Sequence, residues 1–169
     1  MSKKRKHSSD SDSFMIVDSD RCCVVDGLVV DKDDYSVLKP MLQRWGETLD
    51  ETATLIDEEG RVQTLRCAWN IQYLSPSIGR LGELRELDLE RAKLTSLPDE
   101  IWNLRNLIKL NLFGSERITS LSPSIGRLQE LRELDLGQTE QLASLPDEIG
   151  NLCSLITLNL YDSGVTSLP

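Results

Sequence analysis

Leucines recur in an uneven rhythm along most of this chain. In RLGELRELDLE they stand at positions 81, 84, 87 and 89, and the same spacing returns in RLQELRELDLG from position 128. Gaps of three, three and two fit neither the period of a helix nor that of a strand. Leu87 and Leu89 share one face of a short strand, whereas Leu81 and Leu84 lie on a segment that turns toward it. The acids between the strand leucines then point to the opposite face.

The rhythm belongs to a sequence repeat. Segments that begin at Leu74, Leu97, Leu121 and Leu145 are 23, 24, 24 and 23 residues long, and RVQTLRCAWNIQYL fits as a shorter preceding unit. The first and third segments are near copies, as are the second and fourth, which indicates that a block of about 47 residues is duplicated. One coil cannot bury its leucines alone, but stacked coils align them into a continuous core beside a parallel ladder of strands.

The pattern L-P-x-x-I-G-x-L-x-x-L-x-x-L-x-L over residues 62–169 resembles leucine-rich repeat proteins. Among them it is similar to the intracellular Ras-scaffold and plant Ras-group-related class. The resemblance implies an α/β solenoid, a horseshoe with short parallel strands on its concave face, where partners bind. GRVQTLRC also resembles the N-terminal entry of plant receptor ectodomains. The paired cysteines of that extracellular cap and a signal peptide are missing, which favours an intracellular relative.

Three regions are expected. Residues 1–20 are charged and serine-rich, so they predict a disordered tail. Residues 21–61 predict a linker and a small N-terminal cap made of a helix and a hairpin. Residues 62–169 predict about five repeats without a C-terminal cap.

The cap region leaves its local structure open at two points. CCVVDGLVV is typical of either a short strand pair or an apolar linear segment. Tyr35, Leu38, Leu42 and Trp45 have helical spacing, but Pro40 interrupts them, which favours a kink or a helix that begins at Pro40. TLIDEEGRVQTL has two alternating runs around a glycine-containing turn and predicts a hairpin.

Composition excludes several classes of function. With 19 basic and 28 acidic residues the net charge is −9, which disfavours nucleic-acid binding. No apolar run approaches the about 18 residues of a membrane span, no secretory signal is present, and no C-x-x-C pair exists. These features favour an intracellular location, in the cytoplasm or the nucleus, with reduced thiols.

Catalytic chemistry has little support in the residues. The one histidine is His7, in the tail, which removes histidine-dependent triads and most zinc sites from the repeat region. No glycine-rich phosphate motif occurs, and carboxylate pairs such as Glu86 and Asp88 lie on an exposed strand face. We therefore expect no enzyme, no cofactor and no metal site.

The outward strand positions are the candidate partner-binding residues. By repeat, these positions are Thr64, Arg66 and Ala68; Glu86, Asp88 and Glu90; Lys109, Asn111 and Phe113; Glu133, Asp135 and Gly137; Thr157, Asn159 and Tyr161. All of them except Thr64, Ala68 and Gly137 are expected to contact a partner. Phe113 and Tyr161 are either binding anchors or rings that pack on neighbouring coils. The acids are either a solvated face or a site for a partner with a basic surface.

Two tail motifs are weaker. Lys3, Lys4, Arg5 and Lys6 form either a nuclear import signal or a basic N-terminus of no consequence. The apolar run from Phe14 to Val17 lies between serines and acids and resembles a SUMO-interacting segment, which adds a strand to a sheet edge.

Taken together, these patterns favour a protein–protein interaction module, a scaffold or recognition element in signalling or defence. The repeat array stops at Pro169 with a further unit just opened, which favours truncation over coverage of the last coil by another chain. The alternative function is therefore a non-catalytic fragment of a larger receptor- or kinase-like signalling protein. The oligomeric state is left open.

Overall fold

A computed structural model describes residues 14–15, 22–25, 28–45, 54–67 and 71–169. Its strands form two sheets, a small one with the order β1-β2-β3 and a larger one with the order β4-β5-β6-β7-β8-β9. The small sheet contains β1 (Phe14–Met15), β2 (Cys22–Val25) and β3 (Leu28–Asp31), and the helix α1 (Lys32–Trp45) follows it. The larger sheet contains β4 (Thr54–Ile56), β5 (Val62–Arg66), β6 (Glu86–Asp88), β7 (Lys109–Asn111), β8 (Glu133–Asp135) and β9 (Thr157–Asn159).

Strands β5 to β9 pair in parallel, with one leucine of each strand in a common column. That column contains Leu65, Leu87, Leu110, Leu134 and Leu158 as direct partners. The first four are at most 1% exposed, so the column forms the centre of the core. The larger sheet is therefore the parallel ladder of a solenoid, as the repeat predicts.

The uneven leucine rhythm follows from turns that lead into each strand. The amide of Leu81 donates to the carbonyl of Ile78 at 3.1 Å, and the amide of Leu84 donates to that of Leu81 at 3.0 Å. Each gap of three is thus one i→i+3 turn, and the gap of two between Leu87 and Leu89 comes from strand β6. All four leucines of this coil are fully buried.

Each coil returns through a short 3₁₀ turn. These turns are Pro76–Arg80, Asp99–Asn103, Pro123–Arg127 and Asp147–Asn151. Before the first and third turns, the hydroxyl of Ser75 or Ser122 accepts the amide two residues later, and proline follows at the first position. Proline suits that position because its fixed φ fits the turn and its missing amide would have no partner there.

Neighbouring return turns approach each other closely at glycine. A Cβ atom on Gly79 would overlap the carbonyl oxygen of Glu100, and one on Gly126 would lie 3.0 Å from the carbonyl oxygen of Glu148. The second turn has Trp102 at the equivalent position, where its indole is 1% exposed and its Nε1 has no hydrogen-bond partner among the described residues. Glycine at this position of the first and third turns therefore permits the close approach of the following turn.

Helix α1 runs from Lys32 to Trp45 and includes Pro40. The expectation of a helix that begins at Pro40 is therefore wrong. Val37, Leu38 and Met41 are at most 1% exposed, and this packing outweighs the backbone hydrogen bond that proline removes. Tyr35 packs partly buried against the same core.

The other cap elements are hairpins. CCVVDGLVV forms the antiparallel pair β2 and β3, so the strand-pair alternative is the observed one. Strands β4 and β5 form the hairpin expected over residues 54–65, with Gly60 at φ +82° in the turn, a conformation that glycine adopts without steric cost. The amide of Asp31 donates to the carbonyl of Gly60 at 2.7 Å and joins the two sheets.

Most of the expected disordered tail lies outside the described residues. Phe14 and Met15 are the part of it that the structure describes, and they form β1, antiparallel to β2. The basic run at residues 3–6 also lies outside the described residues.

Candidate partner-binding surface

The outward side chains of β5 to β9 form one surface, which we call the strand face. Its first row contains Thr64, Glu86, Lys109, Glu133 and Thr157, and its middle row contains Arg66, Asp88, Asn111, Asp135 and Asn159. A third row, two residues further along each coil, contains Glu90, Phe113, Gly137 and Tyr161. The parallel ladder places all twelve expected binding residues on this face, and their contact with a partner stays a prediction. Ala68 lies outside the described residues.

Lys109 lies between two acids in the first row. Its Nζ is 3.0 Å from Oε2 of Glu133, and both side chains are about half exposed, at 47% and 53%. The hydrogen bond from Lys109 to Glu133 is the main cause that raises the pKa of Lys109; burial lowers this pKa, and the charges of Glu133, Glu86 and Asp88 raise it. The pair is solvent-screened and contributes at most about 1 kcal/mol to stability. Its main effect is to hold one positive charge in the middle of an acidic row.

The middle row contains two hydrogen-bonded dyads beside Arg66. Asn111 donates from Nδ2 to Oδ1 of Asp88 at 3.0 Å, and Asn159 donates in the same way to Asp135 at 3.0 Å. Each of the four side chains also accepts, through Oδ1, the backbone amide two residues further on, at 2.9 to 3.0 Å.

These dyads fix the two aspartates firmly. Asp88 and Asp135 each accept two hydrogen bonds through Oδ1. The Oδ2 atoms accept none from the described residues. Both carboxylates are partly buried, which limits their rotamers. The sequence shows their row and their alternation with asparagine, but not that each side chain is bonded to the backbone of its own coil.

The two aromatic residues of the third row have different environments. A Cβ atom on Gly137 would lie 2.8 Å from Cδ2 of Phe113, so the Phe113 ring packs over that glycine. Tyr161 is 70% exposed. The packing alternative therefore describes Phe113, whereas a role of Tyr161 as an anchor stays a prediction.

The strand face is acidic overall. In its described rows it carries five carboxylates and two cations, Arg66 and Lys109. The carboxylates are Glu86, Asp88, Glu90, Glu133 and Asp135. Arg91 flanks the face and lies 3.6 Å from Glu90. A partner of complementary charge would be basic.

Sequence reasoning missed one buried acid in the cap. Asp34 is 8% exposed, and its Oδ2 accepts the amide of Val62 at 2.7 Å, which ties α1 to the first repeat strand. Burial raises the pKa of Asp34, as do the charges of Asp31 and Asp57, whereas the Val62 amide and Arg61 lower it. The signal in the sequence was the spacing of Asp34, which is three residues before Val37 and four before Leu38 and so lies on the same buried side of the helix.

Other kinds of site find no support in the described residues. They contain no group of three or more histidine, cysteine or acidic residues placed to hold a metal ion. No described helix is long and apolar enough to cross a membrane. A shallow groove of about 230 Å³ between return segments is lined by Tyr73, Pro76, Leu94 and Pro98, among others, and by no residue of the strand face.

The family is decided by a match over the whole repeat array. A sequence model for the leucine-rich repeat region matches residues 61–169, most of the chain. The chain belongs to the leucine-rich repeat proteins. Solenoids of this kind present their strand surface to partners and act mainly as protein-binding scaffolds. No curated protein sequence matches this leucine-rich repeat chain.

Solved leucine-rich repeat structures share the fold. The protein LIC12759 of Leptospira interrogans is 34% identical over 62% of this chain and 26% of its own, with a TM-score of 0.58. The plant peptide hormone receptor RGFR1, solved in complex with RGF2, is 32% identical over 59% of this chain and 16% of its own, with a TM-score of 0.53. This chain thus spans about a quarter and a sixth of those two proteins.

A plant ice-binding protein shares the fold alone. It is 21% identical over 79% of this chain and 49% of its own, with a TM-score of 0.64. Because a hormone receptor and an ice-binding protein share one architecture, the fold does not select the ligand, and the side chains of the strand face must do so.

Proposed function

We propose that this chain is a non-catalytic recognition module that binds a protein segment with a basic surface on its strand face. The observation that carries the proposal is the arrangement of four carboxylates in two pairs. Glu86 and Asp88 lie on β6, and Glu133 and Asp135 lie on β8. A cationic segment laid across the ladder meets one pair on every second coil.

The fixed aspartates favour binding over a merely solvated face. Each Asp side chain is bonded to the backbone amide two residues ahead and to an asparagine of the next coil. A partner therefore loses little side-chain entropy when it engages them, because the carboxylates are ordered before binding. Glu86 is exposed and adds charge beside them.

Relatives support a role in recognition. The plant peptide hormone receptor RGFR1 was solved in complex with RGF2, and this chain is 32% identical to RGFR1 over the matched part. The finer role that we propose is intracellular signalling or defence, and it rests on the similarity of the LPxxIG units to Ras-scaffold and plant Ras-group-related repeats. The basic run at residues 3–6 is consistent with a nuclear pool as well as a cytoplasmic one.

The test removes charge without removing hydrogen bonds. In the variant Glu86→Gln, Asp88→Asn, Glu133→Gln and Asp135→Asn, each amide keeps the oxygen that accepts the observed bonds. The matched control neutralises four exposed or partly exposed acids away from the strand face, namely Asp99, Glu100, Glu130 and Asp147. Both variants change the net charge equally.

Binding is measured by fluorescence anisotropy with a labelled 12-residue peptide of alternating lysine and serine, and with its glutamate counterpart. We expect the natural chain and the control to bind the lysine peptide, and the strand-face variant to lose at least about tenfold in affinity, since four charge contacts are removed. Equal loss in both variants would show that only net charge matters, and the proposal would then be wrong.

A further inference from the structure

We propose that the segment bound by the strand face is a polyproline II helix with arginine at every third residue, lying across the strands of the ladder. The inference rests on the proposed function, because it takes a basic protein segment as the ligand. It adds the conformation of that segment and the spacing of its charges. The argument uses the period of the strand face, the aromatic row and the position of Lys109.

The chemistry of the strand face repeats every second coil. Acid pairs stand on β6 and β8, whereas β7 and β9 carry asparagine in the same middle row. Neighbouring strands of a sheet are about 4.8 Å apart, so equivalent acids lie about 9.6 Å apart. This spacing is a direct consequence of the duplicated two-coil block.

A polyproline II helix has a matching period. It rises about 3.1 Å per residue with three residues per turn, so side chains return to the same side every 9.3 Å or so. An extended strand returns to the same side every about 6.7 Å, which fits neither one coil nor two. An α-helix returns to nearly the same side every turn, about 5.4 Å, and again after two turns at about 10.5 Å, and its diameter of about 10 Å or more would span two coils at once. Polyproline II is thus the best match to the acidic period.

The third row points independently to the same ligand. Phe113 and Tyr161 are also two coils apart, offset by one coil from the acids. The Phe113 ring packs over Gly137, and Tyr161 is 70% exposed. Aromatic surfaces are the usual docking sites of proline-rich helices, because the rings pack against the pyrrolidine rings. One side of the helix would carry arginine to the acids, and another would carry proline to Phe113 and Tyr161.

Lys109 selects against other basic sequences. It stands in the first row between Glu86 and Glu133, one coil from each, with its Nζ bonded to Glu133. A ligand cation between two bound arginines would face this ammonium group and be repelled. The strand face therefore favours arginines separated by two uncharged residues over an uninterrupted basic run.

The test uses three 12-residue peptides of identical composition, each with two arginines and ten prolines. The arginines are separated by one, two or three prolines, so that charge and helical propensity are equal and only the spacing differs. Binding to the full chain is followed at low ionic strength by NMR. The reporters are the amides of Glu90 and Gly137, which donate to Asp88 and Asp135.

We expect the peptide with two intervening prolines to shift both amide resonances with the same dissociation constant. That dissociation constant should be about three- to fivefold lower than those of the other two peptides, because one additional exposed ion pair forms. In the variant Asp135→Asn this preference should vanish while binding persists. Equal affinity of all three peptides for the natural chain would overturn the spacing while leaving a basic ligand intact. No amide shift with any peptide would overturn the basic partner itself.

Discussion

The close approach of return turns at Gly79 predicts a large difference between two otherwise equivalent substitutions. Gly79 and Gly150 hold the same position in the first and fourth 3₁₀ turns. A Cβ atom on Gly79 would overlap the carbonyl oxygen of Glu100 and lie 2.9 Å from its Cβ, whereas a Cβ atom on Gly150 meets nothing within 4 Å. Gly79→Ala should therefore destabilise the chain, and Gly150→Ala should not.

The size of the difference follows from the contacts. The atom in the way of Gly79→Ala belongs to the backbone of Glu100, so the two coils must separate, at the cost of about 1–3 kcal/mol that overpacking usually has. Gly150→Ala only restricts the unfolded chain and should stabilise by up to about 1 kcal/mol. We expect a gap of about 2 kcal/mol between the variants, or roughly 4–8 °C in Tm.

The measurement is urea denaturation of the natural chain and both variants, followed by far-UV circular dichroism. Gly126→Ala provides an intermediate case, because its Cβ would lie 3.0 Å from the Glu148 carbonyl oxygen and 3.1 Å from the Glu148 Cβ. We expect Gly150→Ala to be the most stable variant, Gly126→Ala to be intermediate and Gly79→Ala to be the least stable. If the Gly79 and Gly150 variants unfold within about 0.5 kcal/mol of each other, the coils are not in the close contact on which this reasoning depends.

Two further predictions concern burial. Leu87→Asp places a charge in the fully buried leucine column and should unfold the array. The neighbouring substitution Asp88→Asn keeps the acceptor oxygen and should lower the free energy of unfolding by less than about 1 kcal/mol. Equal thermal melts of the two variants would contradict the orientation of β6. Asp34→Asn keeps an acceptor for the Val62 amide and removes a buried charge. Because the folded pKa of Asp34 is raised, natural stability falls as pH rises through and above the ordinary value of 3.8. The variant should therefore gain stability at neutral pH and lose that gain below pH 3.8, and a gain that is the same at both pH values would refute the assignment.

The repeat array could be predicted from sequence because each coil repeats the same physical requirement. Leu87 and Leu110 must lie in one column, so the spacing that aligns them is visible in every unit. The two-residue gap before Leu89 indicated the strand, and the three-residue gaps indicated the turns. Both can be read within one unit, without information about the rest of the chain. That the family's fold is a parallel ladder follows directly from this alignment.

The cap was less predictable because tertiary packing decides it. Pro40 argues locally for a break, yet Val37 and Met41 bury enough surface for α1 to continue on both sides of it. Asp34 is an acid within the buried face, which a pattern of apolar residues alone does not reveal. Only the position of the Val62 amide, 28 residues away, shows why an acid is accepted there.

The residues that line the strand face could be predicted from sequence, but the hydrogen bonds and ring contacts among them could not. Phe113 and Tyr161 hold equivalent positions in the repeat, but the structure places the Phe113 ring against Gly137 and leaves Tyr161 70% exposed. The hydrogen bonds that order Asp88 and Asp135 likewise depend on the asparagine one coil further on. Pairwise relations of this kind appear once the register of the coils is known.

The duplicated block connects the fold to the specificity that we propose. The leucine column constrains every coil alike, so a strand face with one acid pair per coil would be equally compatible with the core. Placing acids only on β6 and β8, with Lys109 on β7, instead creates a two-coil charge pattern of minus, plus, minus in the first row. Under the proposed function, such a pattern would reject an uninterrupted basic run at its centre and accept cations at its ends. Spacing, and not total charge, is therefore the property by which this surface would distinguish one basic segment from another.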